Sequence, residues 1–168
     1  MNIGEGISGA LFGEPDHSFR YALWRVWRPS VDRLLFVGLN PSTANQYKDD
    51  PTVTRLVHLA KTWGFGSLFV GNLFGYVSAW PGDLEKPEAK ELLGGLNDTA
   101  IKEMCKLCNK VMVGWGNYGK PHNDRINNVL GMIGSPVYCI KINRSGEPVH
   151  PLYQPASSQL VPYVRTLQ

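Results

Sequence analysis

The sequence has few cysteines, a small net charge and no long hydrophobic run. Its three cysteines cannot all pair with one another, so we expect no disulfide framework and a reducing, cytoplasmic environment. No apolar stretch reaches the roughly 18 residues of a membrane helix, and the N-terminal segment lacks the basic region of a signal peptide. The formal net charge of +3 permits a polyanionic partner without requiring one.

Several sequence motifs that would identify an activity are also missing. There is no P-loop, no GxGxxG fingerprint and no serine on a nucleophile elbow. Cys105 and Cys108 form a C-x-x-C pair, but both fall on the apolar stripe of a predicted helix, and Cys139 is the only other cysteine. We therefore interpret them as buried structural residues and expect neither a metal nor a cofactor.

The length of 168 residues and the 43% hydrophobic content predict one domain with a single sizeable core. Within that domain we distinguish an N-terminal β-hairpin (1–32), an α/β core (33–155) and a C-terminal tail (156–168). The hairpin is indicated by two short alternating segments around a "GEPDH" turn. Its second segment, "RYALWRVWR", mixes arginines with aromatic residues, which suits either nucleic-acid contact or an ordinary hairpin.

Strands and helices are predicted to alternate through the core. Four apolar runs without polar alternation are typical of strands that are covered on both faces. The clearest helix, 52–63, has a capping Asp50, a proline at Pro51 and apolar residues at helical spacing. The remaining predicted elements are strands at 33–38, 67–73, 110–116 and 136–142, and helical regions starting near 83, at 97 or 98 and near 122.

This alternation predicts a three-layer α/β/α sandwich with a mainly parallel central sheet. In such folds ligands bind beyond the carboxyl ends of the strands. The residues just after the predicted strands include the amides Asn40 and Asn72 and, further on, the imidazole of His150. We therefore expect these three side chains to meet at one edge of the sheet.

The order of these motifs resembles the uracil-DNA glycosylase superfamily. Gly38-Leu39-Asn40-Pro41 matches its Gly-x-Asn-Pro motif, Asn72 its asparagine at a strand end, and His150-Pro151-Leu152 its His-Pro motif. The similarity extends over residues 33–155. The segments "GLNPSTA" and "DDPTVTR" also resemble a bacterial and phage family of unknown function.

The resemblance implies a glycosylase-like fold and roles for three side chains. Asn40 would position a water molecule, Asn72 would read the edge of a base, and His150 would stabilise charge on the leaving base. Asp49 is a second candidate for a general base, because an amide such as Asn40 cannot take up a proton. Asp49 and Asp50 could also hold a metal, but Asp50 is better explained as a helix cap and Asp49 as its solvated neighbour.

The same resemblance implies further binding residues. A flipped base needs an aromatic platform, for which the candidates are Tyr47, Phe74 and Trp115, and flanking phosphates need cations, for which they are Arg144 and Lys141. The backbone and small side chains next to the first motif would complete the base site, namely Gly38, Pro41 and Ser42.

We therefore expect a hydrolase that removes an altered nucleobase from DNA, in DNA repair or modification. Two alternatives stay open: a binder that senses a modified or flipped base without cleaving it, and an enzyme that acts on free nucleosides or nucleotides. Asn40-Pro41 could also be a simple turn. The sequence does not indicate an oligomeric state.

Overall fold

Seven strands and three α-helices form the described part of the chain, which in this computed structural model comprises residues 1–13, 15–85, 94–134 and 136–165. The helices are α1 (Pro51–Thr62), α2 (Asn97–Leu107) and α3 (Asn123–Ile133). The strands are β1 (Ser8–Phe12), β2 (Arg20–Val26), β3 (Arg33–Gly38), β4 (Ser67–Asn72), β5 (Lys110–Val113), β6 (Val137–Cys139) and β7 (Val161–Pro162). The predicted α/β class is confirmed.

The strands build one mixed sheet in the order β1-β2-β4-β3-β5-β6-β7. The pairs β3–β4, β3–β5 and β5–β6 are parallel, and the other three pairs are antiparallel. The prediction of a mainly parallel sheet was right only for the four central strands. The predicted hairpin adds β2 beside β4, and the predicted tail adds β7 beside β6, so both chain ends extend the sheet.

Helix α1 forms where its sequence pattern predicted it, shifted by one residue. Asp50 is its N-cap, and the side-chain Oδ1 accepts a hydrogen bond of 2.8 Å from the backbone N–H of Val53. Pro51 occupies the first turn, where the missing backbone N–H has no cost. The buried stripe of the helix, which includes Leu56 and Leu59, packs against the sheet.

Helices cover both faces of the sheet. On the face covered by α1, Phe36 and Leu68 pack with the apolar stripe of that helix. On the opposite face, Leu35 packs with Ile101 of α2 and Ile126 of α3. Successive strand residues such as Leu35 and Phe36 therefore belong to different cores, as the alternation of side chains in a strand requires.

Three strands are shorter than predicted, β4 by one residue and β5 and β6 by more. β5 ends at Val113, and the following Gly116 has a φ of +68°, a backbone conformation that favours glycine and ends the extended run. β6 covers only 137–139. Short 3₁₀ helices follow the central strands at Pro81–Glu85, Asn117–His122 and Pro151–Tyr153.

The helical region predicted from residue 83 lies partly outside the described residues. Its first part is the 3₁₀ helix at Pro81–Glu85, whereas residues 86–93 are not among those the structure describes. Among the described residues, no helix combines the length and apolar character needed to cross a bilayer.

Candidate functional site

The carboxyl ends of the four parallel strands share one edge of the sheet, and we call the last residue of each strand and the segment that follows it the rim (38–50, 72–84, 113–122 and 139–154). β3 lies at the centre, with β4 on one side and β5 on the other. The chain therefore reverses its winding direction beside β3. In open α/β sheets the crevice at such a reversal is the usual place for a ligand.

At this edge of the sheet two glycines, Gly38 and Gly114, allow neighbouring side chains to pack directly against the backbone. A Cβ on Gly38 would lie 2.9 Å from Oδ1 of Asn72 and 3.0 Å from the ring of Phe36. A Cβ on Gly114 would lie 2.8 Å from the same ring and 3.0 Å from the carbonyl oxygen of Val149. Phe36 therefore occupies the space between the two glycines, with Asn72 on one side and Val149 on the other.

Asn72 is the most unusual polar residue of the rim. It is 4% exposed, it pairs with Gly38 across β3 and β4, and its side chain lies on the face covered by α1. Its backbone oxygen accepts a hydrogen bond of 3.0 Å from Nδ2 of Asn97, but within the described residues its side-chain amide has no hydrogen bond. With no protein partner among the described residues, this amide is available to a ligand.

Asn40 connects two segments of the rim. Its Nδ2 donates to the backbone oxygens of Ser78 at 2.8 Å and Pro41 at 3.2 Å. The backbone N–H of Ser78 donates in turn to the oxygen of Pro41 at 2.9 Å. The amide nitrogen thus has a structural role, while Oδ1 has no donor among the described residues and can accept a hydrogen bond from a water molecule or a ligand.

His150 lies next to the end of β5 and caps the 3₁₀ helix at Pro151–Tyr153. Its Cβ is 3.5 Å from the position that a Cβ on Gly116 would take, and its Nδ1 accepts a 3.3 Å hydrogen bond from the N–H of Leu152. This bond places the proton of the neutral imidazole on Nε2. Partial removal from water lowers the pKa of His150, and nearby Asp50 acts in the opposite direction.

Both acidic residues before α1 are engaged. Asp49 forms an ion pair of 2.7 Å with Arg25, which holds its carboxylate away from the role of a free base. Asp50 accepts from the N–H groups of Val53 and, through Oδ2, of Ala44 at 3.3 Å. Its predicted capping role is confirmed.

The three predicted aromatic platforms do not stand beside Asn72. Phe74 is buried in the core beneath α2 and α3, where its ring contacts the edge of His122 at 4.8 Å. Trp115 is 1% exposed in the same core, and its indole N–H donates to Oε2 of Glu147 at 2.5 Å. Tyr47 lies on the surface, 90% exposed.

The ring of Phe36, which sequence analysis did not single out, lies next to Gly38 together with Asn72. Its position two residues before Gly38 places it on the same face of β3, and strand alternation alone could have indicated it. The other predicted binding residues keep their positions near the rim: Pro41 is buried, Ser42 is half-buried, and Lys141 and Arg144 are exposed.

A second overlooked residue is Arg20, which is 3% exposed. Its Nη1 donates to the backbone oxygen of Ala44 at 2.5 Å, while its Nε is buried without a partner. Within the described residues no carboxylate lies at ion-pair distance. Burial lowers the pKa of Arg20 to about 10, and Asp50 opposes this shift. The composition of "RYALWRVWR" did not indicate which of its arginines would be buried.

An open groove of about 590 Å³ begins on the outer side of α1. It connects the start of that helix with the segment after His150, and Nη2 of Arg55 donates across it to the backbone oxygen of Gln154. The lining residues are Asp49, Asp50, Pro51, Thr54, Arg55, His58 and Leu152.

The cysteines are free thiols in or near the core. Burial raises the pKa of all three, that of Cys139 to about 11, so none is activated as a thiolate. In the described ranges, no three His, Cys, Asp or Glu side chains cluster in a way that could hold a metal ion.

Comparison with known families places residues 20–152 in one family. They match the model of a family described as "Protein of unknown function (DUF1643)". Because the match covers more than half of the chain, the chain belongs to this family. No curated protein and no solved structure matches it. The matched region contains Arg20, Asn40, Asn72 and His150, and it agrees with the expected resemblance to a family of unknown function.

Proposed function

We propose that this member of the DUF1643 family binds an altered nucleobase of DNA at the rim and hydrolyses its N-glycosidic bond. The observation that carries the proposal is the side chain of Asn72. It is buried, it lies beside Gly38 and the ring of Phe36, and it has no hydrogen-bond partner among the described residues. A planar ligand with adjacent donors and acceptors would satisfy it.

Asn72 would recognise the base. A carboxamide has both an acceptor oxygen and a donor nitrogen, so it can donate to a ring carbonyl and accept from the neighbouring ring N–H. Pyrimidines of the uracil type present this pair of groups. The glycines at 38 and 114 leave room for the ring of Phe36, which lies beside Asn72 and offers a flat apolar surface to a base.

His150 would stabilise the departing base. As the C1′–N bond breaks, its electron pair moves to the base, and negative charge develops on a ring carbonyl. The Nε2–H of the neutral imidazole can donate to that oxygen, because Nδ1 already accepts from Leu152. Such a donor, fixed before the reaction, stabilises charge that develops in the transition state.

Asn40 would position the attacking water through Oδ1. The bond from Nδ2 to Ser78 holds the amide in place, and the water adds to C1′ while solvent accepts its proton. An amide acts here by orientation and not as a base. Asp49 would take the proton only after release from Arg25, which makes it the weaker candidate.

The test is a cleavage assay on oligonucleotides that carry uracil, hypoxanthine or hydroxymethyluracil. We expect abasic sites with at least one of these bases, and their loss in both Asn40→Ala and Asn72→Ala. The control is Asn128→Ala, because Asn128 is an exposed asparagine on α3, outside the rim segments. Cleavage that persists in Asn72→Ala would contradict the proposal.

A second candidate is a binder that senses the base without cleaving it. It is favoured by the ion pair of Asp49 with Arg25 and by the capping role of Asp50, since these bonds occupy the carboxylates nearest to the rim. Retention of a modified oligonucleotide without abasic sites, lost in Asn72→Ala, would select this candidate. Release of base from free nucleosides alone would instead indicate an enzyme of nucleoside metabolism.

A further inference from the structure

The exposed aromatic side chains of the described residues are distributed in a regular way. Four Trp, Tyr or Phe side chains are exposed there: Tyr47 (90%), Trp80 (69%), Tyr118 (54%) and Tyr153 (88%). Each lies on a different segment of the rim, after β3, β4, β5 and β6 respectively. We call these four residues the rim aromatics.

The exposed hydrophobic residues elsewhere are of another kind. Those at a distance from the rim, such as Ile7 and Val164, are aliphatic. Single exposed aliphatic residues are common on protein surfaces and require no explanation. The restriction of exposed aromatic rings to one edge of the sheet is therefore a property of the rim and not of the whole surface.

Among the lysine, arginine, aspartate and glutamate side chains of the described rim, the exposed ones are all positively charged. Lys48, Lys120, Lys141 and Arg144 are exposed on the same segments. The described carboxylates of these segments are buried or half-buried and bonded within the protein, as Asp49 is to Arg25 and Glu147 is to Trp115 and Arg165. The exposed rim therefore offers aromatic rings and cations without a competing exposed carboxylate in its described residues.

Contacts connect the rim segments that carry the rim aromatics. The 3₁₀ helix at Pro81–Glu85, directly after Trp80, packs against the one at Asn117–His122, which contains Tyr118. The 3₁₀ helix at Pro151–Tyr153 packs against α1. Asn40 joins the segments after β3 and β4 through its bond to Ser78. The rings are thus carried by an ordered framework.

We propose that the rim aromatics and the four exposed cations bind single-stranded nucleic acid. The bases stack on the rings and the phosphates contact the lysines and the arginine, a combination typical of proteins that bind single strands. The inference extends the proposed function and rests on it in one respect: a base on a single strand reaches Asn72 without the cost of unpairing a duplex. Rings on four separate segments suit a flexible strand better than a rigid duplex.

The experiment measures the affinity of the full chain for a fluorescein-labelled oligothymidylate of about 16 nucleotides and for the matched duplex. We expect tighter binding to the single strand. Trp80→Ala and Tyr118→Ala should each weaken it about fivefold or more, because one stacked base contributes on that scale. Ile7→Ala and Val164→Ala are the controls, since they remove exposed apolar side chains outside the rim.

A second measurement detects directly whether a base of the oligonucleotide stacks on Trp80. Trp80 is the one tryptophan that is mostly exposed, whereas Trp24 and Trp115 are buried, so stacking of a base should quench its fluorescence. The quenching should be absent in Trp80→Phe while binding persists. The salt dependence should give a slope of log K against log salt of about −3 for four phosphate contacts, reduced in Lys141→Gln and in Arg144→Gln.

The outcomes separate this inference from the proposed function. Asn72→Ala should lose the response to an altered base, whereas Trp80→Ala and Tyr118→Ala should lose affinity for the unmodified single strand. Equal or tighter binding to the duplex, no binding to the single strand, or affinity unaffected by Trp80→Ala and Tyr118→Ala would each overturn the inference. Cleavage at an altered base in a duplex, with no affinity for single strands, would overturn it while leaving the proposed function intact.

Discussion

The two faces of the sheet differ at its carboxyl edge in how their buried polar groups are paired. On the face covered by α2 and α3, Glu147 accepts from the indole of Trp115 and pairs with Arg165 at 3.2 Å. Arg125 donates to the backbone oxygen of Leu73 at 2.6 Å and pairs with an exposed aspartate. On the face covered by α1, the side chain of Asn72 has no described partner, and Arg20 has only a backbone oxygen.

The difference separates polar groups that stabilise the fold from polar groups that are left for a ligand. Paired groups such as Glu147 and Trp115 offset the cost of their own burial. Arg20 bears that cost at its Nε in the free protein, and a ligand that bonds to it would remove the cost. The side-chain amide of Asn72 also has no described protein partner and can bond to a ligand. Even on the face covered by α2 and α3, not every buried polar atom is hydrogen-bonded, since Oδ1 of Asn97 has no partner among the described residues.

The largest effect is expected at Asn72. Asn72→Ala should reduce processing or retention of an altered base about 100-fold, as the loss of one well-placed donor does in other enzymes, and leave the free energy of unfolding almost unchanged. Asn97→Ala should lower the free energy of unfolding and leave the specificity for an altered base in place. The reason is that Nδ2 of Asn97 donates hydrogen bonds to the backbone oxygens of Asn72 and Leu73. Cleavage assays and urea denaturation of both variants measure the contrast; an equal loss of stability in both would contradict it.

Glu147→Ala should destabilise the protein by about 3 kcal/mol, because it leaves Arg165 and the indole of Trp115 without their buried acceptor. Urea denaturation measures the loss. Glu103→Ala is the matched control, since Glu103 pairs with Lys106 on the surface of α2 and its removal should leave the midpoint unchanged. A similar loss in both variants would show that the buried network is not stabilising.

The two buried arginines provide a direct comparison of the faces. Arg125→Met should cost about 2 kcal/mol, because it removes a charged hydrogen bond to the oxygen of Leu73. Arg20→Met should change stability by less than about 1 kcal/mol, because losing the bond to Ala44 is offset by removing a buried charge without an ion pair. Chemical denaturation measures both, and a larger loss for Arg20→Met would place Arg20 among the structural groups.

The smallest effect concerns pH. His150 is exposed, but its neighbours remove part of the surrounding water and lower its pKa in the folded protein, so the unfolded chain binds a proton more readily just below the usual value of about 6.5. Stability should therefore fall slightly as the pH falls through that window and then level off. The measurement compares denaturation at about pH 7.5 and about pH 5.5. His150→Asn keeps a capping side chain and should lose this part of the pH dependence.

Local sequence patterns were sufficient for much of the fold. The capping aspartate, the proline in the first turn and the apolar spacing placed α1 within one residue, because these signals act within a few residues of the chain. The ends of β5 and β6 were placed less well. Their residues are apolar beyond the point where pairing stops, and the end of β5 depends on the backbone turn at Gly116.

The candidate site was predicted in part. Sequence order indicated that Asn40, Asn72 and His150 follow parallel strands, and the structure places all three on the rim. The sequence did not indicate that Trp115 would lie on the face opposite Asn72, since a shift of one residue moves a side chain to the other face of a sheet. The ion pair of Asp49 with Arg25 also joins residues 24 positions apart, which no local pattern specifies.

The sequence by itself determined the order of the hairpin, of the four parallel strands and of α1 to α3, the capped start of α1 and the amides at the strand ends, because periodicity and capping are local. Only the tertiary structure decided which buried polar groups find partners. Glu147 reaches Trp115 across 32 residues, whereas Asn72 and Arg20 are enclosed without such a partner. Pairing depends on which face and which neighbouring strand a side chain meets, and these follow from the register and packing of the complete sheet.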